Sequence, residues 1–167
     1  ELGAAYGRCV DFLLAKDYKG AITAIEQSPD FTSHLSDKYS GKVEIIEGDF
    51  KKHTFNKKFG AILWMWSGIL DFSEEEQEEA VQKLHDMLEQ DGRLIIDTPR
   101  IGFKTFAQHE NSQRLHHDSP YGELNCYIPS FEELESLTKG VGFESIEQID
   151  YLTATDKERS LFVIKKK

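Results

Sequence analysis

The stretch Glu1–Arg8, ELGAAYGR, constrains the fold of this chain more than any other. Its small residues, Gly3 to Ala5 and Gly7, predict a tight turn, and the apolar residues that follow predict a helix directly after Gly7. A turn of this composition lets a ligand contact backbone amides, because no large side chain stands in the way. Many α/β proteins need small residues where a strand gives way to a helix, so the neighbouring segments must decide what the turn is for.

Helical and extended patterns alternate along the chain, without low-complexity tracts or an internal repeat. Short apolar runs predict buried strands at residues 21–25, 43–46, 59–65 and 94–96. Two later segments, residues 143–151 and 160–164, are separated by a polar turn and are expected to pair as an antiparallel hairpin. The alternation predicts an α/β fold.

Helix boundaries are predicted from caps and glycines. The first helix is expected to bury one side, made of Cys9, Val10, Phe12, Leu13 and Leu14. Later helices are expected to start at Ser28 with Pro29 and at two capping boxes, Ser73 with Glu76 and Ser130 with Glu133. The pair Asp91-Gly92 is expected to end one helix, and Gly140 with Gly142 to end the last.

Length and composition favour one domain spanning residues 1–167, because 167 residues with 39% hydrophobic content can build one α/β core. The net charge of −10 repels phosphate backbones, so nucleic acid is not the expected partner. No apolar run approaches the ~20 residues that span a bilayer, so no membrane partner is expected either. Two cysteines without a metal-binding spacing fit a cytoplasmic protein with no structural metal.

Two carboxylates follow predicted strands at informative positions. Glu26 lies 23 positions beyond Gly3, where a carboxylate at the end of a strand accepts ribose hydroxyls in nucleoside-binding folds. Asp49 and Phe50 follow the next strand, where a carboxylate and an aromatic ring can meet the amino group and the face of adenine. The alternatives are a solvated turn and a phenylalanine of the core.

With these positions in place, the sequence resembles the class I methyltransferases that use S-adenosylmethionine. The resemblance rests on four ordered segments, ELGAAYGR, AIEQSP, EGDF and FGAILWMWSGILDFS. It implies a Rossmann-like fold with a doubly wound, mostly parallel sheet and a C-terminal antiparallel hairpin. It also implies that Gly3 lies under the methionine part of the cofactor, that Glu26 holds the ribose and that Asp49 flanks adenine. The wider set of implied cofactor residues is Glu1, Ala5, Gly7, Gln27, Phe50, Met65 and Trp66.

The fourth segment looks like the corresponding segment of small-molecule N-methyltransferases, including those acting on glycine and on amino sugars. That resemblance implies a small-molecule acceptor, with an amine nitrogen as the methylated atom. Either Trp64 or Trp66 is expected to be an ordinary core residue. Enzymes of this kind carry a long excursion after the fifth strand that helps to form the acceptor pocket.

Residues 98–129 form such an excursion here, far longer than the ~2 to 6 residues usual between a strand and a helix. The alternative is an ordinary loop that covers a sheet edge. An amine acceptor needs a base or hydrogen-bond acceptor to leave its nitrogen unprotonated, and nothing in the spacing selects among the candidates, which are His109, His116, His117, Tyr121 and Tyr127. The adjacent pair His116 and His117 does not predict a metal site, since neighbouring side chains of a strand point apart and no third ligand is evident.

Two features depart from the family pattern. Ala5 stands where the opening turn usually has its second glycine, and the chain begins at Glu1, at the end of what should be the central strand, so the N-terminal part of the fold is expected to be truncated. Two other functions stay open: a methyltransferase fold kept for partner binding without catalysis, and a nicotinamide-dependent oxidoreductase. The second would need glycines where Ala5 and Arg8 stand. The oligomeric state is not predicted.

Overall fold

A computed structural model describes residues 1–100, 114–119 and 122–167, with side chains described for residues 1–100 and 125–167. The chain divides into two compact units, Glu1–Asn56 and Lys57–Lys167. Both units combine helices with strands, as the sequence predicted.

The first unit pairs two short parallel strands with two helices. Its elements are α1 (Arg8–Ala15), β1 (Thr23–Glu26), α2 (Pro29–Tyr39) and β2 (Glu44–Glu47). In the parallel register Glu26 lies opposite Glu47, and Leu2 forms a further parallel bridge to Ile25. The core is a cluster of small and branched side chains with one tyrosine: Ala4, Val10, Ile22, Ala24, Leu35 and Tyr39.

The predicted start of α2 is confirmed, because the Ser28 side chain accepts a hydrogen bond from the Phe31 amide and Pro29 occupies the first turn. The predicted buried side of α1 is wrong at one position. Val10 is fully buried, whereas Phe12 is 63% exposed. Residues two apart lie on nearly opposite sides of a helix, so burying Val10 turns Phe12 outward.

The second unit is built on a mixed sheet with the order β3-β4-β8-β7. Its elements are β3 (Phe59–Trp64), a 3-10 helix (Gly68–Asp71), α3 (Glu74–Met87), β4 (Leu88–Pro99), β5 (Arg114–Ser119), β6 (Gly122–Tyr127), α4 (Phe131–Val141), β7 (Phe143–Leu152) and β8 (Glu158–Lys166). β3 and β4 are parallel, whereas β8 is antiparallel to both β4 and β7. The predicted C-terminal hairpin and both capping boxes are confirmed.

One predicted helix end is wrong and another is confirmed in part. α3 ends at Met87, and Asp91-Gly92 lies within β4, because the buried Leu88 already pairs with Phe59 of the sheet. The Lys166 ammonium donates to the carbonyls of His85 and Leu88 and so satisfies acceptors at the helix end. Gly140 lies inside α4, whereas Gly142 caps the C-terminal end of this helix in the left-handed conformation, as predicted.

The described part of the 98–129 excursion is a β-hairpin. Thr98 and Pro99 still belong to β4, and β5 pairs antiparallel with β6. In that ladder His116 pairs with Asn125 and His117 with Leu124. Regular backbone pairing therefore organises a segment that the sequence predicted only as a long excursion.

Candidate functional site

The turn after Leu2, here called the Gly3 turn (residues 3–7), has the conformation that a backbone-lined binding site needs. Gly3 has φ +62° and its amide donates to the Ile25 carbonyl at 2.9 Å. A Cβ placed on Gly3 would meet no atom within 4 Å, so open space lies beside this glycine. Ala5 has φ 46°, which is the glycine-type conformation at the position where the family pattern has glycine.

Glu26 ends β1 and ties the Gly3 turn to the start of α2. Its side chain is buried, at 7% exposure, yet both carboxylate oxygens are hydrogen bonded. Oε2 accepts from the Ala5 amide and Oε1 from the Ser28 amide, each at 2.9 Å. A carboxylate offers about four acceptor positions, so Glu26 keeps capacity for hydroxyl donors of a ligand.

Asp49 and its neighbours lie close to Glu26 within the first unit. The Gly48 amide donates to the Glu26 carbonyl at 2.9 Å, which joins the two strand ends. The Lys51 amide donates to Asp49 Oδ1 at 2.8 Å and holds the pKa of that carboxyl below its usual value. Phe50 is half-buried and Gln27 is exposed. The four residues predicted at these two strand ends therefore lie at the adjoining ends of β1 and β2.

Glu1 precedes the Gly3 turn, and Gly7 is its last residue. Burial raises the pKa of the Glu1 carboxyl, which hydrogen bonds Cys9, and within the described residues Glu1 Oε2 is buried without a hydrogen-bond partner. Burial also raises the pKa of the Cys9 thiol to about 12, so this cysteine is unreactive at neutral pH. Gly7 has φ 75°, and any Cβ there would overlap Tyr39 and Leu35.

Side chains of α1 and α2 hold the C-terminal end of the Gly3 turn, a role that could not be predicted from the sequence. The Tyr39 hydroxyl lies 2.7 Å from the Gly7 carbonyl and 2.7 Å from Asp11 Oδ1. The Lys38 ammonium donates to the Tyr6 carbonyl at 3.0 Å and to Asp11 at 2.7 Å. Helical periodicity marks Tyr39 only as a core residue, because the partners of its hydroxyl lie 28 and 32 residues away.

In the second unit, the tryptophan that ends β3 and the tryptophan two residues later have opposite environments. Trp64 is 3% exposed and packs edge-on against Phe72, whereas Trp66 is 46% exposed. The prediction that one of the two belongs to the core is therefore confirmed. Met65, between them, is half-buried.

Trp66 and Ser67 both have left-handed backbone conformations, with φ 56° and 68°. Such conformations cost on the order of 1–3 kcal/mol each for residues other than glycine and persist only where the surroundings enforce them. Here the surroundings are the carboxylate and carbonyl of Asp97, which is 0% exposed. The Trp66 amide donates to Asp97 Oδ2 at 3.0 Å and the Ser67 amide to the Asp97 carbonyl at 2.9 Å.

The charge of Asp97 is met by two further side chains. Arg159 donates from Nε to Oδ1 at 2.8 Å and from Nη2 to Oδ2 at 2.9 Å, and Nη2 also donates to Ser67 Oγ at 2.7 Å. The Tyr151 hydroxyl donates to Oδ1 at 2.9 Å, and burial raises the pKa of this phenol. This cluster could not be predicted from the sequence, because 54 and 62 residues separate Asp97 from Tyr151 and Arg159.

The predicted base candidates are described unequally. His109 and Tyr121 lie outside the described residues, and only the backbone of His116 and His117 is described. Tyr127 is 9% exposed, and its carbonyl accepts from the buried Gln77 amide at 3.0 Å. The candidates therefore remain unranked.

Two other features are absent from the described part of the chain. No group of three or more His, Cys, Asp or Glu side chains there could hold a metal ion. None of the helices in the same residues has the length and apolar character needed to cross a membrane.

Comparison with known proteins gives one family. Residues 1–92 match the model of a family described as a methyltransferase domain. A search of curated proteins gave no match.

Solved structures resemble the chain over almost its whole length. An S-adenosylmethionine-dependent methyltransferase from Clostridium acetobutylicum matches with a TM-score of 0.76 and 14% identity, covering 99% of this chain and 82% of the other. A glycopeptide N-methyltransferase complexed with S-adenosyl-L-homocysteine gives 0.77 and 14%, with coverage of 99% and 81%. An amino pentose methyltransferase from Micromonospora echinaspora with bound S-adenosylmethionine gives 0.68 and 13%, again with coverage of 99% and 81%. The likeness confirms the predicted fold class, a Rossmann-like α/β fold.

Proposed function

We propose a specific methyl transfer for this chain, on the premise that it belongs to the methyltransferase domain family. Membership confirms the resemblance seen in the sequence and makes the chain a methyltransferase. The proposed methyl donor is S-adenosylmethionine and the proposed acceptor is a small molecule with an amine nitrogen. Residues 1–167 are proposed to act as one cofactor-binding domain, in which residues 98–129 cover the acceptor.

The main observation in favour of S-adenosylmethionine as the donor is the buried Glu26 carboxylate next to the Gly3 turn. Its oxygens hold the Ala5 and Ser28 amides and keep capacity for the two ribose hydroxyls. The open space beside Gly3 leaves room for the amino acid part of the donor. The ionised Asp49 can accept from the adenine amino group, and Phe50 supplies an apolar face. Glu1, Ala5, Gly7, Gln27, Met65 and Trp66 complete the proposed set.

Solved structures of similar fold support the donor and the acceptor class. The amino pentose enzyme contains bound S-adenosylmethionine, and the glycopeptide enzyme is an N-methyltransferase. At 13% and 14% identity they share the fold with this chain, so the amine acceptor is an inference of ours.

Methyl transfer from this donor requires little covalent chemistry from the protein's own side chains. When bound, S-adenosylmethionine supplies a methyl group that is already electrophilic. The protein has to align the acceptor nitrogen with that methyl group and exclude water. An amine must also lose its proton, and the proposed acceptors of this proton are His109, His116, His117, Tyr121 and Tyr127.

Two further properties belong to the proposal. A net charge of −10 disfavours nucleic acid as the substrate. The free thiols of Cys9 and Cys126 are in keeping with a reducing compartment such as the cytoplasm.

Gly3→Ala tests the donor site, with Gly41→Ala as the matched control. Both glycines have positive φ, +62° and +74°, and at both an added Cβ meets no atom within 4 Å. Each change should therefore reduce the free energy of unfolding by a similar roughly 1–2 kcal/mol. Calorimetric titration with S-adenosylhomocysteine should show affinity at least about tenfold weaker for Gly3→Ala alone, a loss of about 1.4 kcal/mol. Wild-type affinity in Gly3→Ala would contradict the proposed site.

A further inference from the structure

We propose that Asp97 and Arg159 are positioning residues that hold the Trp66 indole in the orientation in which it contacts the methyl donor, a role that rests on the proposed function. The residues concerned are here called the Asp97 cluster: Trp66, Ser67, Asp97, Tyr151 and Arg159. All of them belong to the second unit.

Within the Asp97 cluster, Asp97 and Arg159 form hydrogen bonds with the strained dipeptide Trp66-Ser67. The amides of Trp66 and Ser67 both donate to Asp97, and the Ser67 hydroxyl accepts from Arg159. Neither residue is a glycine, so the left-handed conformation of this dipeptide needs these contacts to persist. Strain held in place by a dedicated network is typical of functional sites.

A contribution to the stability of the core does not explain why these hydrogen bonds of Asp97 and Arg159 are present. Asp97 is wholly buried and the Arg159 side chain is 12% exposed. A buried ion pair contributes little net stability compared with apolar side chains of the same size, because desolvation offsets the attraction. The pair does fix direction, since the two parallel N–H bonds of Arg159 hold the guanidinium and the carboxylate in one plane.

What the network orients is the Trp66 side chain. The Arg159 guanidinium carbon lies 5.6 Å from the centroid of the indole, and the side chain is nevertheless 46% exposed. A large aromatic residue usually gains stability by burial. The Trp66 indole is therefore held by Arg159 while nearly half of the residue's surface stays exposed, which suits it to contact a ligand.

Binding measurements on a double-mutant cycle test the coupling. Trp66→Ala and Arg159→Met should each weaken the binding of S-adenosylhomocysteine about tenfold, and the double variant should be no weaker than either, because Arg159 acts through Trp66. Arg100→Met is the matched control: Arg100 is half exposed, lies 3.6 Å from the carboxylates of Asp150 and Glu158, and should keep wild-type affinity. Wild-type affinity in Arg159→Met, or losses that add in the double variant, would overturn the positioning role.

Fluorescence gives a readout that needs no ligand. The chain has two tryptophans, so Trp64→Phe leaves Trp66 as the only indole. In that background Arg159→Met should change the acrylamide quenching and near-ultraviolet circular dichroism of Trp66, and Arg100→Met should not. Unchanged signals in Arg159→Met would also overturn the proposal.

Ser67→Ala keeps the test decisive if Arg159→Met does not fold. It removes the bond from Arg159 Nη2 to the Ser67 hydroxyl and leaves the ion pair with Asp97 intact. Its affinity should fall severalfold, and wild-type affinity would count against the proposal. A wild-type protein that binds no S-adenosylhomocysteine would instead overturn the proposed function, and with it the ligand assigned to Trp66, while the fluorescence still shows whether Arg159 orients the indole.

Discussion

Ala5 places a methyl group on a backbone that suits glycine. With φ 46°, an L-residue other than glycine costs roughly 1–2 kcal/mol relative to a favoured conformation. The Ala5 amide bonds Glu26, which explains why the turn keeps this conformation without a glycine.

Ala5→Gly should therefore raise the free energy of unfolding by about 0.5–1 kcal/mol, because the relieved strain exceeds the added chain entropy of glycine. Ala21→Gly is the control, since Ala21 is exposed and has no positive φ. That change should lower stability slightly. Denaturant unfolding of the two variants provides the check, and destabilisation by Ala5→Gly would argue against strain at this position.

At the scale of single residues, carboxylates near strand ends could be predicted from the sequence, whereas their hydrogen-bond partners could not. Glu26 was predicted from its spacing to the Gly3 turn, and Asp49 from its place directly after the next strand. Asp97 occupies a comparable position in β4, but its importance depends on Arg159 and Tyr151 of the C-terminal hairpin. No local pattern encodes contacts over such separations.

Gln77 links elements of the second unit through one buried amide. Its Nε2 lies within 3.0–3.3 Å of the carbonyls of Ile69, Phe72 and Tyr127, and the residue is 2% exposed. The 3-10 helix and the end of β6 are thereby tied to α3. Position 77 looked like one polar residue in an acidic first turn, so the sequence did not indicate this role.

Gln77→Ala should lower the free energy of unfolding by about 2–4 kcal/mol, because it removes a buried amide that donates to carbonyls of three segments and opens a small cavity. Gln82→Ala on the same helix removes an exposed amide that bonds Asp86 at 3.2 Å and should change stability by less than about 0.5 kcal/mol. Thermal and denaturant unfolding can compare the pair. Similar stabilities for the two variants would show that Gln77 does not link these elements.

Element starts were easier to predict than element ends. Ser73 and Ser130 were found because a capping box is a local pattern of four residues. The end of α3 was not, since pairing of Leu88 with Phe59 draws the chain into β4 before Asp91-Gly92. Sheet pairing is a tertiary interaction, and here it overrides the local turn signal.

At the scale of the whole molecule, alternating patterns were sufficient for the fold class. Each unit combines parallel strands with helices, and the second adds the antiparallel C-terminal hairpin. The acceptor was not predictable in the same way. Its candidate residues lie in an excursion whose sequence has no strong periodicity, and recognition of a small molecule depends on the placement of individual side chains.

Binding of the methyl donor through Glu26 is the central claim, and isothermal titration calorimetry of the wild type, Glu26→Gln and Glu47→Gln tests it most directly. Glu47 is the parallel register partner of Glu26 and is exposed, so it offers the same substitution one strand away. We expect S-adenosylmethionine and S-adenosylhomocysteine to bind the wild type and Glu47→Gln alike, and to bind Glu26→Gln at least about a hundredfold more weakly, a loss near 2.7 kcal/mol. Equal affinity for all three proteins, or no binding by the folded wild type, would contradict the account.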